Sequence, residues 1–163
     1  MDKTRIFRIR PLQEADIPEM QDLFRSTVLH VNLKHYTQEE VEDWASCGES
    51  WAHWRELLSN NDYVGAFDNV DRMVGYSSMN QHGYLHSMFV HKDWQGKGIA
   101  TQLLSEVERI ARVFHVSEIT SEVSLTAKSF FEKNGYEVVK NQKSKANRLE
   151  LTNFVMRKTL KYY

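Results

Sequence analysis

The stretch Val90-His91-Lys92-Asp93-Trp94-Gln95-Gly96-Lys97-Gly98-Ile99-Ala100 constrains this chain more than any other. β-favouring residues run up to Val90, a short polar turn follows, and Gly96 and Gly98 open an amphipathic run. Ala100, Leu103, Leu104, Val107, Ile110 and Ala111 recur there at helical steps. Glycines at such a junction let the backbone approach a ligand closely, and the free amides of a helix start favour an anion, a diphosphate being the natural guest. The same glycine pair also serves a plain strand-to-helix turn, so spacing alone leaves both readings open. Two better-known phosphate loops are excluded. G-x-G-x-x-G breaks at Thr101, and no Gly-Lys-Ser/Thr closes a Walker-type loop.

Around this junction the pattern predicts one α/β domain over residues 1–163. Arg5 to Arg10 alternates basic and apolar residues, as a half-buried strand does. Ile17, Met20, Phe24, Val28 and Val31 mark a helix after Pro11, and Thr37-Gln38-Glu39-Glu40 has the form of a capping box for a second. Trp51, Trp54, Leu57 and Leu58 suggest a further turn or two of helix. Tyr63–Phe67, Met73–Met79 and Tyr84–Val90 read as strands with links short enough for antiparallel pairing. Beyond the helix from Gly96 to Phe114, strands are expected at 118–123, 136–140 and 148–156, with a helix at 126–133 stopped by Asn134-Gly135. The expected architecture is a mixed, mostly antiparallel sheet of about seven strands flanked by about four helices.

Composition narrows the function classes. Lys+Arg number 21 against 22 Asp+Glu, a net charge of −1, which argues against a partner bound through phosphate neutralisation, so no nucleic acid is expected. The single cysteine, Cys47, forms neither an internal disulfide nor a multi-cysteine metal site. His82 and His86 lie four apart, but Gly83 and the strand reading deny them a shared helical face, so no metal is expected. No apolar stretch approaches the ~18 residues that span a bilayer, and the residues from Met1 to Arg5 lack a signal core. The expectation is a cytoplasmic protein without a membrane partner.

Gln95-Gly96-Lys97-Gly98-Ile99-Ala100 resembles the acyl-CoA signature Q/R-x-x-G-x-G/A of the GNAT N-acetyltransferase superfamily. Arg72 to Tyr76 and Leu85 to Val90 resemble the family's third and fourth strands. Ser124-Leu125-Thr126-Ala127-Lys128-Ser129-Phe130-Phe131-Glu132-Lys133-Asn134-Gly135-Tyr136 is similar to its later A-x-x-F-Y-E-x-x-G-F block. The resemblance implies the GNAT fold, acetyl-CoA as cosubstrate, and transfer of acetyl to a primary amine of a small molecule or peptide. It also implies that the amides of Gln95, Gly96, Lys97, Gly98, Ile99, Ala100 and Thr101 cradle the pyrophosphate. The Met88-Phe89-Val90 edge would pair with the pantetheine arm, and Lys97 would add charge. Ser124 stands where many members carry a cofactor-contacting asparagine.

Phe131 occupies the position at which many members place a tyrosine near the CoA sulfur, and phenylalanine donates no proton. The general acid is therefore unassigned, and a thiolate leaving unprotonated is chemically reasonable. The strand glutamate that members use as base falls, by the family's spacing, at Tyr84. Period-two alternation would set Tyr84, His86, Met88 and Val90 on one face, and His86 is the better base because its ordinary pKa is near ~6.5. Glu122 is a weaker alternative. His30, Asn32, Tyr36 and Trp44 are the candidate acceptor-binding residues. The acidic run Glu39, Glu40, Glu42 and Asp43 reads as a solvated helix face. No activated nucleophile is recognisable, so direct transfer is the expected route. The alternative is a non-catalytic acyl-CoA-binding regulatory module on the same fold. A homodimer is the first assembly to consider on symmetry grounds.

Overall fold

The computed structural model describes residues 7–162. It contains seven strands and five α-helices, one helix more than expected. The strands are β1 Phe7–Pro11, β2 Asp62–Asp68, β3 Met73–Met79, β4 Met88–Val90, β5 Glu118–Ser124, β6 Glu137–Lys145 and β7 Glu150–Thr159. The helices are α1 Ile17–His30, α2 Gln38–Ser46, α3 Trp51–Asn60, α4 Ile99–Val113 and α5 Lys128–Lys133. Arg5 and Ile6, the start of the expected first strand, lie outside the described residues.

The single sheet expected from the sequence divides in two. One half is antiparallel in the order β1-β2-β3-β4, the other antiparallel in the order β5-β7-β6. They meet at one parallel bridge, Tyr84 with Thr120, where the Leu85 amide donates to Thr120 O and the Thr120 amide to Gly83 O, each at 2.9 Å. Ser121 Oγ adds a 2.8 Å bond to Leu85 O. Beyond this vertex β4 pairs only with β3 and β5 only with β7, so the halves splay apart.

The fourth strand is shorter than its sequence pattern. Over residues 84–87 the ladder is irregular: Ser78 N still reaches Ser87 O and Asn80 N reaches Tyr84 O, each at 3.2 Å, and serine hydroxyls of β3 take further backbone groups. Ser78 Oγ accepts from the amides of His86 at 3.2 Å and Ser87 at 3.1 Å, while Ser77 Oγ donates to Ser87 O at 2.7 Å. Alternation survives: Leu85 and Ser87 are buried, while Tyr84, His86 and Met88 are more exposed. All seven residues from Tyr84 to Val90 border the cavity described below.

Helices cover both faces of the first sheet. α4 buries Ile99, Leu103, Leu104, Val107 and Ala111 against Val64, Ala66 and Val74. α1, α2 and α3 enclose a second core with Tyr63, Phe67 and Tyr76. The Thr37 capping box forms as its sequence predicts, with Glu40 N donating to Thr37 Oγ1 at 3.1 Å and Thr37 N to Glu40 Oε1 at 2.9 Å. Asp43, next along α2, is not on a solvated face. It is buried and accepts from the amides of Asn147, Arg148 and Leu149, which fastens α2 to the β6–β7 turn. Among the described residues no helix is long and apolar enough to cross a membrane.

Candidate active site

The splay between β4 and β5 opens a cavity of about 600 Å³. One end is the junction that carries the glycines. Gln95 folds back so that its Nε2 donates to Val90 O at 2.7 Å, tying the turn to the strand end. Gly96 and Gly98 take φ values of 71° and 83°, the left-handed region that a side chain resists. Neither has an atom within 4 Å of where a Cβ would stand, so conformation rather than crowding demands glycine. Gln102 N makes the first helical bond, to Gly98 O at 3.1 Å. The amides of Ile99, Ala100 and Thr101 therefore face outward without helical partners, and no acidic side chain occupies that first turn. This end suits an anion. Lys97 is exposed, its Nζ 6.0 Å from the Trp94 ring centre, and is not a wall residue.

The free edge of β4 leads away from that end. His91 N bonds Val74 O and Ser78 N bonds Ser87 O, so the antiparallel alternation turns the backbone groups of Met88 and Val90 away from β3. The Val90 carbonyl is already taken by Gln95 and by Thr27 Oγ1 at 3.3 Å. Met88 N–H, Met88 C=O and Val90 N–H remain as an open strand edge facing β5. Across the gap, Ser124 borders the cavity and accepts Ala127 N at 3.1 Å, which leaves its O–H to donate. Phe131 borders it too but is buried, with Phe130 and Tyr136 rings 5.5 and 5.1 Å away.

At the vertex stand the two candidate proton-handling residues, Tyr84 and His86, with ring centres 6.1 Å apart. Burial, and then the Glu122 charge, push the Tyr84 hydroxyl up to about 12, so it stays protonated at neutral pH. His86 is solvent-accessible yet recessed in the cleft. Desolvation first, then the charge of His53, lower its pKa, against an opposing pull from Glu122. The neutral imidazole is thus favoured. Its Nδ1 lies 2.9 Å from Ser87 Oγ and 3.4 Å from Tyr63 Oη.

The side of the cavity around Phe89 is walled by rings. Phe24, Trp44, Trp54, Tyr76 and Phe89 form a continuous cluster, with centre separations from 5.2 Å for Phe24–Phe89 to 6.5 Å for Phe24–Trp44. Tyr36 and Asn32 also border the cavity, but the Tyr36 hydroxyl is spent on Thr152 O and Leu125 N. His30 stands apart. It is exposed outside the cavity wall, with Nδ1 on Ser26 O at 2.8 Å. Cys47 lies at the rim, where burial and then Asp43 push its thiol up, the opposite of a thiolate nucleophile. Among described wall residues there is one carboxylate, Glu122, and one lysine, Lys145. No group of three or more His, Cys, Asp or Glu gathers among the described residues in a way that would hold a metal.

Sequence reasoning missed Tyr63, Ser78 and Ser87 around His86, and most of the aromatic wall. Those residues come together by pairing between distant segments, which leaves no local spacing to read.

The chain matches the family model described as an acetyltransferase (GNAT) domain over residues 32–160. It is 31% identical over 150 residues to the uncharacterized N-acetyltransferase YafP of Escherichia coli K12, spanning 92% of this chain and 94% of that protein. Its fold superposes on a GCN5-related N-acetyltransferase from Rhodopseudomonas palustris with a TM-score of 0.91 and 25% identity, covering 96% of this chain and 97% of that one. PaiA N-acetyltransferase from Thermoplasma acidophilum, crystallised with coenzyme A, superposes with a TM-score of 0.77 at 20% identity, covering 94% and 99% of the two chains.

Proposed function

This chain belongs to the GNAT acetyltransferase family, and on that premise we propose that it transfers acetyl from acetyl-CoA directly to a primary amine. The observation that carries the reading is the continuity of one cavity. It joins the outward amides of Ile99–Thr101, the open edge of Met88 and Val90, and an aromatic wall beside Phe89. The pyrophosphate would lie on the helix start and the pantetheine arm would extend β4 as an added strand, which brings the thioester to His86 and Tyr84. Ser124 is the side-chain donor on the opposite bank. The amine attacks the thioester carbonyl, the C–N bond forms, the C–S bond breaks, and the amine proton leaves to solvent. The raised Cys47 thiol supports this direct route over an acyl-enzyme.

The pocket's chemistry also narrows the acceptor. A polyamine or an aminoglycoside carries several cationic groups that need several carboxylates, whereas this wall offers Glu122 alone. Rings around Phe89 suit one amine on a flat apolar body. The lone unpaired Cys47 suits a reducing compartment, and we assign the enzyme to the cytoplasm.

The test is thiol release from acetyl-CoA across a panel of aromatic amines, polyamines, aminoglycosides and peptides. Turnover on the first class supports the whole reading. Tight CoA binding with no turnover on any amine would leave a non-catalytic acyl-CoA-binding module instead.

A further inference from the structure

A row of buried hydroxyls runs behind His86. Tyr63 and Ser87 are 2% and 7% exposed, so each proton must find an acceptor within the protein. Ser78 on β3, fully buried and in register with Tyr63 on β2, flanks them. Tyr63 Oη in turn lies 3.2 Å from Ser87 Oγ, which is 2.9 Å from His86 Nδ1.

Counting donors fixes the direction of this row. A serine oxygen has two acceptor sites, and both on Ser78 are occupied by the amides of His86 and Ser87. Ser78 Oγ is therefore closed to the Tyr63 proton. Tyr63 stays protonated, its hydroxyl pushed up to about 12 by burial, and must pass its own proton forward to Ser87 Oγ or His86 Nδ1. Ser87 then donates to His86 Nδ1. The reverse order would have Nδ1–H donate to Ser87, and would leave a proton of Tyr63 or Ser87 with no acceptor. Nδ1 is an acceptor, so the neutral ring carries its proton on Nε2. No described residue takes up Nε2, and the ring is open to the cleft.

We infer that the Tyr63–Ser87 row holds His86 as an Nε2–H hydrogen-bond donor to the reacting thioester, with Tyr63 and Ser87 as its positioning residues, rather than as the base the sequence suggested. His86 is the first residue past the last bond between the two half-sheets, where an arm laid along β4 would end. In the tetrahedral intermediate the negative charge sits on the former carbonyl oxygen, and a fixed N–H there is an oxyanion donor. No proton passes from His86. The amine proton goes to solvent, and the sulfur leaves as thiolate.

The inference rests on the acetyl-transfer reading for its chemistry, but its geometry is testable without turnover. In the full chain labelled with 15N-histidine, long-range NMR correlations at pH 8 are expected to show His86 as the Nε2–H tautomer. Tyr63→Phe and Ser87→Ala should shift it toward a mixture. An Nδ1–H tautomer in the wild type overturns the proposal. With an accepted amine in hand, His86→Ala should lower kcat on the order of 10²-fold, the usual loss of one oxyanion donor. His86→Gln, whose amide still donates but is no base, should recover at least about tenfold of that. Equal loss in both variants, or loss in neither, sinks the donor role. A wild type that releases no thiol on any amine fails the acetyl-transfer reading, while the tautomer result still judges the hydroxyl row.

Discussion

The Tyr36 hydroxyl donates to the carbonyl oxygen of Thr152 across 2.7 Å, and the Tyr36 oxygen itself accepts the Leu125 amide at 2.9 Å. One side chain thus ties the segment after α1 to β7 and to the end of β5, the far bank of the splayed sheet. Tyr36→Phe keeps the ring but takes a partner from a part-buried carbonyl and a part-buried amide, a loss of about 1 kcal/mol. Urea unfolding should show that loss. The KM for the acceptor should rise as the far bank loosens, with the Kd for CoA little changed.

Gly98 supplies the second conformational test. At φ 83° an alanine meets no neighbour yet strains its own backbone, at about 1–2 kcal/mol. Gly98→Ala should therefore weaken CoA binding roughly tenfold by calorimetry, since relief of the strain turns the Ile99–Thr101 amides away. Unchanged affinity would show that these amides do not hold the anion.

Trp44 is half-buried on the aromatic wall, edge-on to Phe24 and Tyr36. Trp44→Ala is expected to raise KM for aromatic amines by roughly tenfold while leaving CoA affinity alone. An equal effect on aromatic and aliphatic acceptors would show that this wall does not choose the substrate.

Stability should fall with acid in two separate windows. His86 is held neutral, so its contribution is whole above the ordinary value of 6.5 and is lost as pH falls through the lower folded value. The amides of Leu149, Arg148 and Asn147 hold Asp43 below its usual 3.8, so its contribution is lost only at still lower pH. Thermal melts of His86→Gln should flatten the first window. Asp43→Asn should flatten part of the second and lower Tm by roughly 5–10 °C, Asp16 and Asp68 accounting for the rest of that window.

The parts of the site that sequence made legible are those built from neighbours. Gly96 and Gly98 fall where the backbone turns left-handed, and the Thr37 and Glu40 cap closes on itself within four residues. The alternation from Tyr84 to Val90 was legible as a strand but misled about its length, because Ser77 and Ser78 of another strand take backbone groups at 86 and 87. Asp43 looked like one acid in a solvated run. Its partners lie more than a hundred positions along, and no local pattern announces them. His30 failed for a related reason. It lies near Tyr36 in sequence, but its place on the helix turns it outward.

On the proposed placement of the pantetheine arm, the open edge at Met88 and Val90 would tie the protein's persistence to its supply of cosubstrate. A β-strand with bare polar groups along a cleft is an unfinished sheet, and the arm of a bound CoA thioester would finish it. Ligand that binds only the folded chain adds RT ln(1 + [L]/Kd) to its stability, about 2.7 kcal/mol at a hundredfold excess over Kd. A cell short of acetyl groups would then hold not just an idle enzyme but a less durable one, more often unfolded and more readily degraded.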